Sequence, residues 1–182
     1  MIAGLLLAAR LDPSRAERKR REEAELLAVK IRKETALAAR PCPVPVNGVT
    51  EITFKALEFV PLTSPQNLQT GVTAFAVQAP PRIRLLDAKH VRISGFALPI
   101  RYESGRVQDF LILANQLTCC FGYPPRFCDY ILAHAESGAG SPRTDLPTSF
   151  EGTLHVRDIY ANGAWSALYS MDCTKLTPDF RH

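Results

Sequence analysis

One stretch of the chain alternates strictly between two kinds of side chain, and this alternation constrains the fold more than any other feature. Residues 90–100 read HVRISGFALPI, with small or apolar residues at every second position: Val91, Ile93, Gly95 and Ala97. A period of two is typical of a β-strand with one covered face. Gly95 suits a strongly bent strand, because glycine relieves crowding where a sheet coils sharply. Pro99 confines the end of this strand to an edge or a bend.

Four further segments have the composition of short strands and are separated by turn residues. They are residues 107–114, 129–134, 150–157 and 165–173. Ser-Gly at 104–105 and Asn-Gly at 162–163 predict turns between neighbouring segments. Five short strands with little helix between them predict a mainly β domain, and we expect a small OB-like barrel of five to six strands. Another five- or six-stranded barrel has the same strand pattern.

A long helix is predicted before this domain. Residues 14–39 contain no Gly or Pro and consist largely of Ala, Leu, Glu, Lys and Arg, which favour helix. The apolar stripe of this helix is narrow, so it fits either a basic amphipathic helix on a membrane or partner surface or a solvated stalk. The apolar run at residues 1–9 is too short to span a bilayer as a helix, which takes about 20 residues.

These patterns divide the chain into four parts. We predict a short apolar start and helix at 1–40, a proline-rich linker at 41–49, the β domain at 50–176 and a tail at 177–182. Within the β domain, a first short amphipathic element ends at Pro61, residues 63–78 are expected to form a loop, and residues 79–83 an extended connector.

Charge is distributed unevenly along the chain. Residues 1–40 carry ten Lys and Arg against six Asp and Glu, whereas the rest of the chain is balanced. Binding to nucleic acid requires a clustered excess of Lys and Arg, because the phosphate backbone dominates the affinity. We therefore expect the β domain to have no nucleic-acid partner.

One segment has a composition that structural needs do not explain. Three of the five cysteines, Cys119, Cys120 and Cys128, lie within ten residues. Gly122 and Pro124 permit a turn between two predicted strands, which could aim several sulfurs at one point.

The cysteine segment allows several interpretations. The first is a soft-metal site for zinc or copper, completed by His134, Cys173 or Met171. The second is a disulfide, for instance between Cys120 and Cys128. Thiol redox chemistry ranks last, because adjacent cysteines are not the Cys-x-x-Cys arrangement that tunes thiolate pKa. Against these stands the possibility that the cysteines are small buried hydrophobes.

Standard catalytic motifs are missing from the sequence. It contains no phosphate-cradling glycine-rich loop, no serine nucleophile elbow, no paired-carboxylate pattern and no His-Glu-x-x-His helix. We therefore predict that the protein is not an enzyme.

Several segments together resemble a known bacterial family. The segments are LDAKHVRISGFALPI at 86–100, VQDFLIL at 107–113, CCFGYP at 119–124, FEGTL at 150–154 and LYSM at 168–171. They resemble, in the same order, the motifs of the family catalogued as domain of unknown function 3299. The motif positions are Gly95, Phe96, Pro99, Phe121, Gly122 and Pro124. The resemblance covers roughly residues 50 to 176, and Cys-Cys-Phe-Gly is its most specific element.

This resemblance implies an envelope protein with an OB-type core. Members of the family resemble exported or lipid-anchored proteins, some encoded near metal-uptake systems, which favours the metal interpretation for Cys119 and Cys120. It implies a periplasm-facing, membrane-anchored location and a protein partner in the envelope. The chain departs from the pattern by its additional Cys128 and by lacking a clean signal peptide. We expect an envelope-associated domain that binds zinc or copper through the Cys-Cys turn, or alternatively a non-catalytic structural or protein-interaction module.

Overall fold

The computed structural model describes residues 13–40, 43–61, 75–116 and 125–179. Its helices are α1 (Pro13–Ala38), α2 (Phe54–Leu57), α3 (Phe75–Gln78) and α4 (Pro81–Arg84). Its strands are β1 (Pro45–Val46), β2 (Val49–Glu51), β3 (Lys89–Glu103), β4 (Arg106–Leu113), β5 (Tyr130–Ala135), β6 (Thr148–Ala161) and β7 (Ala164–Pro178). The prediction of a mainly β protein preceded by a long helix is confirmed.

The strands form one seven-stranded sheet in which five strands close into a ring. The order in the sheet is β1-β2-β3-β4-β5-β7-β6, and an additional pairing between β3 and β6 closes the ring. All neighbours in the ring are antiparallel except β5 and β7, which are parallel. The five strands of the ring are the five that the sequence predicts, whereas β1 and β2 lie beside β3 outside the ring.

Within the ring, strand β3 pairs with one neighbour along its first half and with another along its second half. Residues 89–95 pair with β6, and residues 96–103 pair with β4. At the change of partner stands Gly95, where an added Cβ atom would lie 2.7 Å from the carbonyl oxygen of Leu113 and 2.9 Å from Cγ2 of Ile112. Only a residue without a side chain lets the strands approach so closely. The register shifts between Pro99 and Arg101, and the strand continues beyond Pro99 to Glu103, so Pro99 marks an irregularity in the ladder and not the end of the strand.

Three hairpin turns share one backbone conformation. Their central pairs both have positive φ angles: Asn47–Gly48, Ser104–Gly105 and Asn162–Gly163. This geometry matches the right-handed twist of the flanking strands, and Asn-Gly is its preferred sequence. The second and third turns are predicted from the sequence. The first joins β1 to β2 and lies inside residues 41–49, where the sequence analysis expects only an extended linker.

The interior of the ring is filled by alternate side chains of its strands. The largest of these buried residues include Ile93, Phe110, Ile131, Phe150, Leu154 and Met171. Their burial supplies the main hydrophobic stabilisation of the domain. Leu57 of α2 and Ile83 of α4 belong to the same core cluster. The buried Tyr169 hydroxyl donates a hydrogen bond of 2.8 Å to the carbonyl oxygen of Leu57, which fixes α2 on the ring.

Two short helices lie where the sequence analysis expects irregular chain. Helix α3 occupies the end of the predicted loop 63–78, and α4 replaces the end of the predicted connector 79–83. In α4, Pro81 stands in the first turn of the helix, directly after the N-cap residue Pro80. Proline is well tolerated there, because the first N–H groups of a helix have no partner within the helix. The expectation of extended chain at this point is wrong for that reason.

Among the described residues, the contacts of helix α1 with the rest of the domain lie near its C-terminal end. Residues 14–29 are all exposed, whereas Leu37 is buried. The carboxylate of Glu34 accepts a hydrogen bond of 2.8 Å from the backbone N–H of Val60. Within the described ranges, no helix combines the length and the apolar character needed to cross a bilayer.

Candidate functional site at the β4–β5 connection

The predicted site maps to the connection between β4 and β5. The connection is closed at its base by a hydrogen bond of 2.9 Å from the backbone N–H of Ala114 to the carbonyl oxygen of Asp129. Of the predicted site and motif residues, Cys119, Cys120, Phe121, Gly122 and Pro124 lie outside the described residues. The geometry of the site therefore comes from the base of the connection and from its surroundings.

Cys128 is the predicted donor that lies at this base. Its side chain is buried and its thiol is free in this structure, and Cys120, its predicted disulfide partner, lies outside the described residues. The Sγ atom lies 3.9 Å from Oδ1 of Asp129. Burial, and then the negative charge of Asp129, raise the pKa of the Cys128 thiol to about 11. At neutral pH the thiol is protonated and is a poor nucleophile and metal ligand.

Arg126 fixes the end of the connection through two carboxylates. Its guanidinium donates two hydrogen bonds of 2.8 Å to the carboxylate of Asp129 and one of 3.0 Å to Glu58. These bonds raise the pKa of Arg126 above its ordinary value. Glu58 is also 3.7 Å from the ammonium group of Lys33 and 3.8 Å from Nη1 of Arg40. One carboxylate thus links the β4–β5 connection to the end of α1.

Aromatic side chains pack beneath the same connection. The ring of Phe127 stacks on Phe75 with centroids 4.9 Å apart and contacts Phe59 edge-on at 5.1 Å. Phe75 in turn meets Trp165 edge-on at 4.9 Å. Such pairs contribute about 0.5–1.5 kcal/mol each beyond the area they bury. The base of the connection is therefore held by packing as well as by ion pairs.

His134 and Cys173 were predicted as further donors, but the structure does not bring them together. Cys173 points into the ring and is fully buried, and burial raises the pKa of its thiol to about 12. His134 is 47% exposed on the outer face, where Nδ1 lies 2.7 Å from Oδ1 of Asp109. Cys173 is the register partner of Ala135, the residue after His134. Because successive residues of a strand point to opposite faces, the sheet separates the two side chains. Met171, two residues before Cys173, is also buried inside.

Within residues 13–40, 43–61, 75–116 and 125–179, no three His, Cys, Asp or Glu side chains are grouped so that they could hold a metal ion. The donors predicted from this part of the chain lie at separate places: Cys128 at the base of the connection, Cys173 inside the ring and His134 outside it. They do not fit a shared metal site.

The outer face of the ring carries histidine–carboxylate pairs that the sequence analysis did not identify. Nε2 of His155 lies 2.9 Å from Asp172, and Nε2 of His90 lies 3.2 Å from Glu151. Arg92 donates to the same Glu151 carboxylate at 2.8 Å and 3.1 Å. Arg92, followed by His90, lowers the pKa of Glu151. The alternation within each strand places these residues outside, but their partners come from other strands and are not visible in the sequence.

The same arrangement exists around His134. Arg101 donates a hydrogen bond of 2.6 Å from Nε to Asp109, the partner of His134. Arg101, and then His134, hold the pKa of the Asp109 carboxyl below its ordinary value. His134 is therefore part of a surface ion-pair network, which is an ordinary structural role for an exposed histidine.

The remaining motif residues of β3 have a structural role. Gly95 permits the close approach of β4, and Pro99 lies at an irregularity in the β3–β4 ladder. Phe96, which is half-buried, pairs with Leu113 at the first position of the β3–β4 ladder. The Gly-Phe-x-x-Pro pattern thus marks the change of partner in β3.

The ring of strands, the preceding helix and the cysteine-bearing connection define a small β domain whose described residues show no grouped metal-binding centre. The chain belongs to the family described as "Protein of unknown function (DUF3299)", whose model matches residues 55–178.

A solved structure supports the same fold. The crystal structure of a DUF3299 family protein from Pseudomonas aeruginosa PAO1 is similar over 75% of this chain and 99% of that chain, with a TM-score of 0.52 and 19% sequence identity. At this identity the likeness shows the fold alone. Among curated proteins, none matches the chain significantly.

Proposed function

We propose that this chain is a non-catalytic binding module of the cell envelope, which contacts a protein partner at the β4–β5 connection. The observation that carries the proposal is the anchoring of this connection by Arg126, whose guanidinium bonds both Asp129 and Glu58. A loop held at its base by a rigid scaffold is well suited to present side chains to a partner. The buried, protonated thiols of Cys128 and Cys173 support binding rather than thiol chemistry.

The strand order of the ring supports an OB-like fold for this module. Counting the ring strands in chain order from β3 as the first, their order around the ring is 1-2-3-5-4, with the third and fifth parallel. OB-folds have this order and this single parallel pair. Nucleic-acid binding, which many OB-folds perform, is not part of the proposal, because the chain after residue 40 carries balanced charge.

The N-terminal part supports attachment to the envelope. The exposed residues of α1 include five cations within seven positions: Arg15, Arg18, Lys19, Arg20 and Arg21. An apolar run at residues 1–9 precedes them. A hydrophobic segment combined with a basic cluster is a two-part signal for a membrane surface with anionic lipids. We propose that this end holds the module at the membrane; the periplasm-facing orientation of the domain rests on the family resemblance alone.

A site-specific photo-crosslinker tests the partner. Placed at Pro125, an exposed residue next to Arg126, it leaves the Arg126 anchor in place and is expected to give a discrete adduct in the envelope fraction of intact bacteria. Arg143 is 57% exposed and pairs with Asp145 on another loop, and it provides a matched control position. A lower adduct yield in a Glu58→Gln background would link the adduct to the anchored base. Equal yields at both positions would contradict the proposal.

A soft-metal site at Cys119 and Cys120 is the second candidate function. It is favoured by the closed base of the connection, since Ala114 and Asp129 bracket both cysteines together with Cys128. Zinc or copper(I) is the class of metal that thiolates select. Elemental analysis of protein purified without added metal tests this function. We expect the protein to contain bound metal, which Cys119→Ser and Cys120→Ser each remove. Cys173→Ser should leave the metal in place. Metal-free protein would refute this function.

A further inference from the structure

A pocket lies at the end of the ring opposite the β4–β5 connection. It encloses about 400 Å³ and is lined by the first three residues of β4, by Ala135 at the end of β5 and by the loop that follows β5. Because β4 begins at this pocket and ends at the connection, the length of the strand separates the two sites. A ligand of the pocket is therefore independent of the partner proposed for the connection.

Arg106 supplies the pocket with a cation that has no partner. Among the described residues, its guanidinium forms no ion pair and no hydrogen bond. Its register partner Glu103 pairs instead with Arg101 at 3.2 Å. Farther along the loop after β5, Arg143 and Asp145 pair with each other at 2.9 Å. These charges are matched among themselves, so the guanidinium of Arg106 is available to bind a carboxylate.

Glu136 supplies the same pocket with the opposite charge. In the part of the chain that the structure describes, its carboxylate pairs with no cation, and Arg106 is not within ion-pair distance of it. Two opposite charges thus line one concave space without meeting each other. A ligand that carries both a carboxylate and an ammonium group would complement both charges at once.

Gln108 adds a fixed hydrogen-bond acceptor. Its Nε2 donates to the carbonyl oxygen of Ala135 at 2.9 Å and lies 3.1 Å from Nε2 of His134. Nδ1 of His134 faces the Asp109 carboxylate and carries the proton of the neutral ring, which leaves Nε2 as an acceptor. Both N–H groups of the Gln108 amide are therefore engaged. Its oxygen, to which no described residue donates, can accept a hydrogen bond from an ammonium group.

The loop that follows β5 is held in place by strand β7. The backbone N–H of Glu136 donates to the carbonyl oxygen of Cys173 at 2.9 Å, and that of Leu176 donates to the carbonyl oxygen of Ala139 at 3.0 Å. Between these two bonds Gly138 has a φ angle of 89°, a conformation that favours glycine. Since glycine has no side chain, the wall of the pocket is open there to the main chain of a ligand.

The lining and the size of the pocket define the class of ligand. Arg106 selects a carboxylate, whereas Glu136 and the Gln108 oxygen select an ammonium group. The hydroxyls of Ser137 and Ser141 also line the pocket and can donate to or accept from a peptide group. The volume lies near the lower end of the usual range of about 300–1,000 Å³ for ligand pockets. We propose that this pocket binds a small zwitterion with a free ammonium and a free carboxylate group, an amino acid or a dipeptide.

Titration of the full chain by two-dimensional NMR, at constant pH and ionic strength, tests the proposal. The zwitterionic probes are L-alanine and L-alanyl-L-alanine. N-acetyl-L-alanine lacks the ammonium group, and L-alanine amide lacks the carboxylate. We expect saturable shifts at the backbone amides of Val107, Ser137 and Gly138 with at least one zwitterion, and about tenfold weaker binding of both blocked probes. The absence of saturation with both zwitterions, or equal binding of a blocked probe, would overturn the proposal.

Charge variants assign each end of the ligand to its residue. Arg106→Gln is expected to weaken binding of the zwitterion about tenfold, the loss typical of a hydrogen bond to a charged group, and to remove its preference over L-alanine amide. Arg106→Lys should retain both. Glu136→Gln should remove the preference over N-acetyl-L-alanine.

An arginine elsewhere on the surface separates the pocket from general attraction of charged molecules. Arg157→Gln, at an exposed arginine outside the pocket lining, provides the matched control and should leave binding unchanged. Equal weakening by Arg106→Gln and Arg157→Gln would overturn the proposal. The unfolding midpoint of each variant verifies that the fold is intact.

Discussion

Replacement of Gly95 by alanine tests the central feature of the fold, the change of partner in β3. The added methyl carbon would lie 2.7 Å from the carbonyl oxygen of Leu113, 2.9 Å from Cγ2 of Ile112 and 3.2 Å from the ring of Phe54. The first contact is with backbone, which cannot rotate away. The strands must therefore separate by several tenths of an ångström, where the ladder from β3 to β4 begins.

The magnitude follows from two opposing contributions. Overpacking a filled core costs about 1–3 kcal/mol, whereas replacing glycine by alanine stabilises by about 0.4–1 kcal/mol through the unfolded state. We expect a net loss of about 1–2 kcal/mol in the free energy of unfolding, since steric strain exceeds the entropic gain. At Gly152 the added carbon would lie only 2.1 Å from the carbonyl oxygen of Asp172, so Gly152→Ala should cost more than Gly95→Ala.

Urea unfolding followed by the fluorescence of Trp165, the only tryptophan of the chain, provides the assay. The free energy of unfolding of a small protein falls by about 1–3 kcal/mol per molar urea. Gly95→Ala should therefore lower the urea concentration at the unfolding midpoint by about 0.5–1 M. In an Ile112→Ala background the loss should shrink but persist, because the carbonyl contact remains. A midpoint that is unchanged or raised by Gly95→Ala would refute the argument from close approach.

Three further predictions concern acid stability, thiol protection and a buried hydrogen bond. Because the folded pKa of Glu151 is lowered, its carboxylate stabilises the fold above its ordinary pKa, and this contribution is lost as pH falls through the folded value. Glu151→Gln should therefore flatten the decline of urea midpoints between about pH 5 and pH 3. With the other cysteines changed to serine, Cys128 and Cys173 should react with Ellman's reagent at about pH 8 only after unfolding, and labelling in buffer without urea would contradict their burial. Tyr169→Phe should cost about 1–3 kcal/mol in thermal or urea unfolding, because a buried carbonyl loses its donor, and Tyr130→Phe, at a half-buried site, should cost less.

Local patterns in the sequence predict most of the ring. Each of its five strands has alternating or continuous apolar character, and two of its turns contain the pairs Ser104–Gly105 and Asn162–Gly163. Helix α1 was equally predictable, because residues 14–39 contain no helix breaker. In contrast, β1, β2 and the four-residue helices are too short to show a period. The pairing of β3 with β6 joins distant parts of the chain, which local patterns do not encode.

The candidate site was less predictable than the fold. His134 and Cys173 were grouped by residue type, but the alternation of their strands already places them on opposite faces: Ala133 and Ala135 are the inward neighbours of His134, and Cys173 is the inward partner of Ala135. Considering which face of its strand each residue occupies, in addition to its type, would have separated them. The ion pairs of Glu58 could not be found in this way, because its partners come from two distant parts of the chain: Lys33 and Arg40 from the end of α1, and Arg126 from the β4–β5 connection.

Closure of the ring between β3 and β6 has a consequence for synthesis of the protein. Lys89 pairs with Leu154, and Gly95 pairs with Thr148. The first strand of the ring can therefore pair with β6 only after more than fifty further residues have been synthesised. Contacts of such long sequence separation slow folding, because the loop entropy is lost before the pairing energy is gained. While the ribosome adds these residues, the edge of β3 that β6 will occupy stays unpaired, and an unpaired strand edge favours aggregation. We infer that the nascent domain completes its fold only when β6 and β7 have emerged from the ribosome.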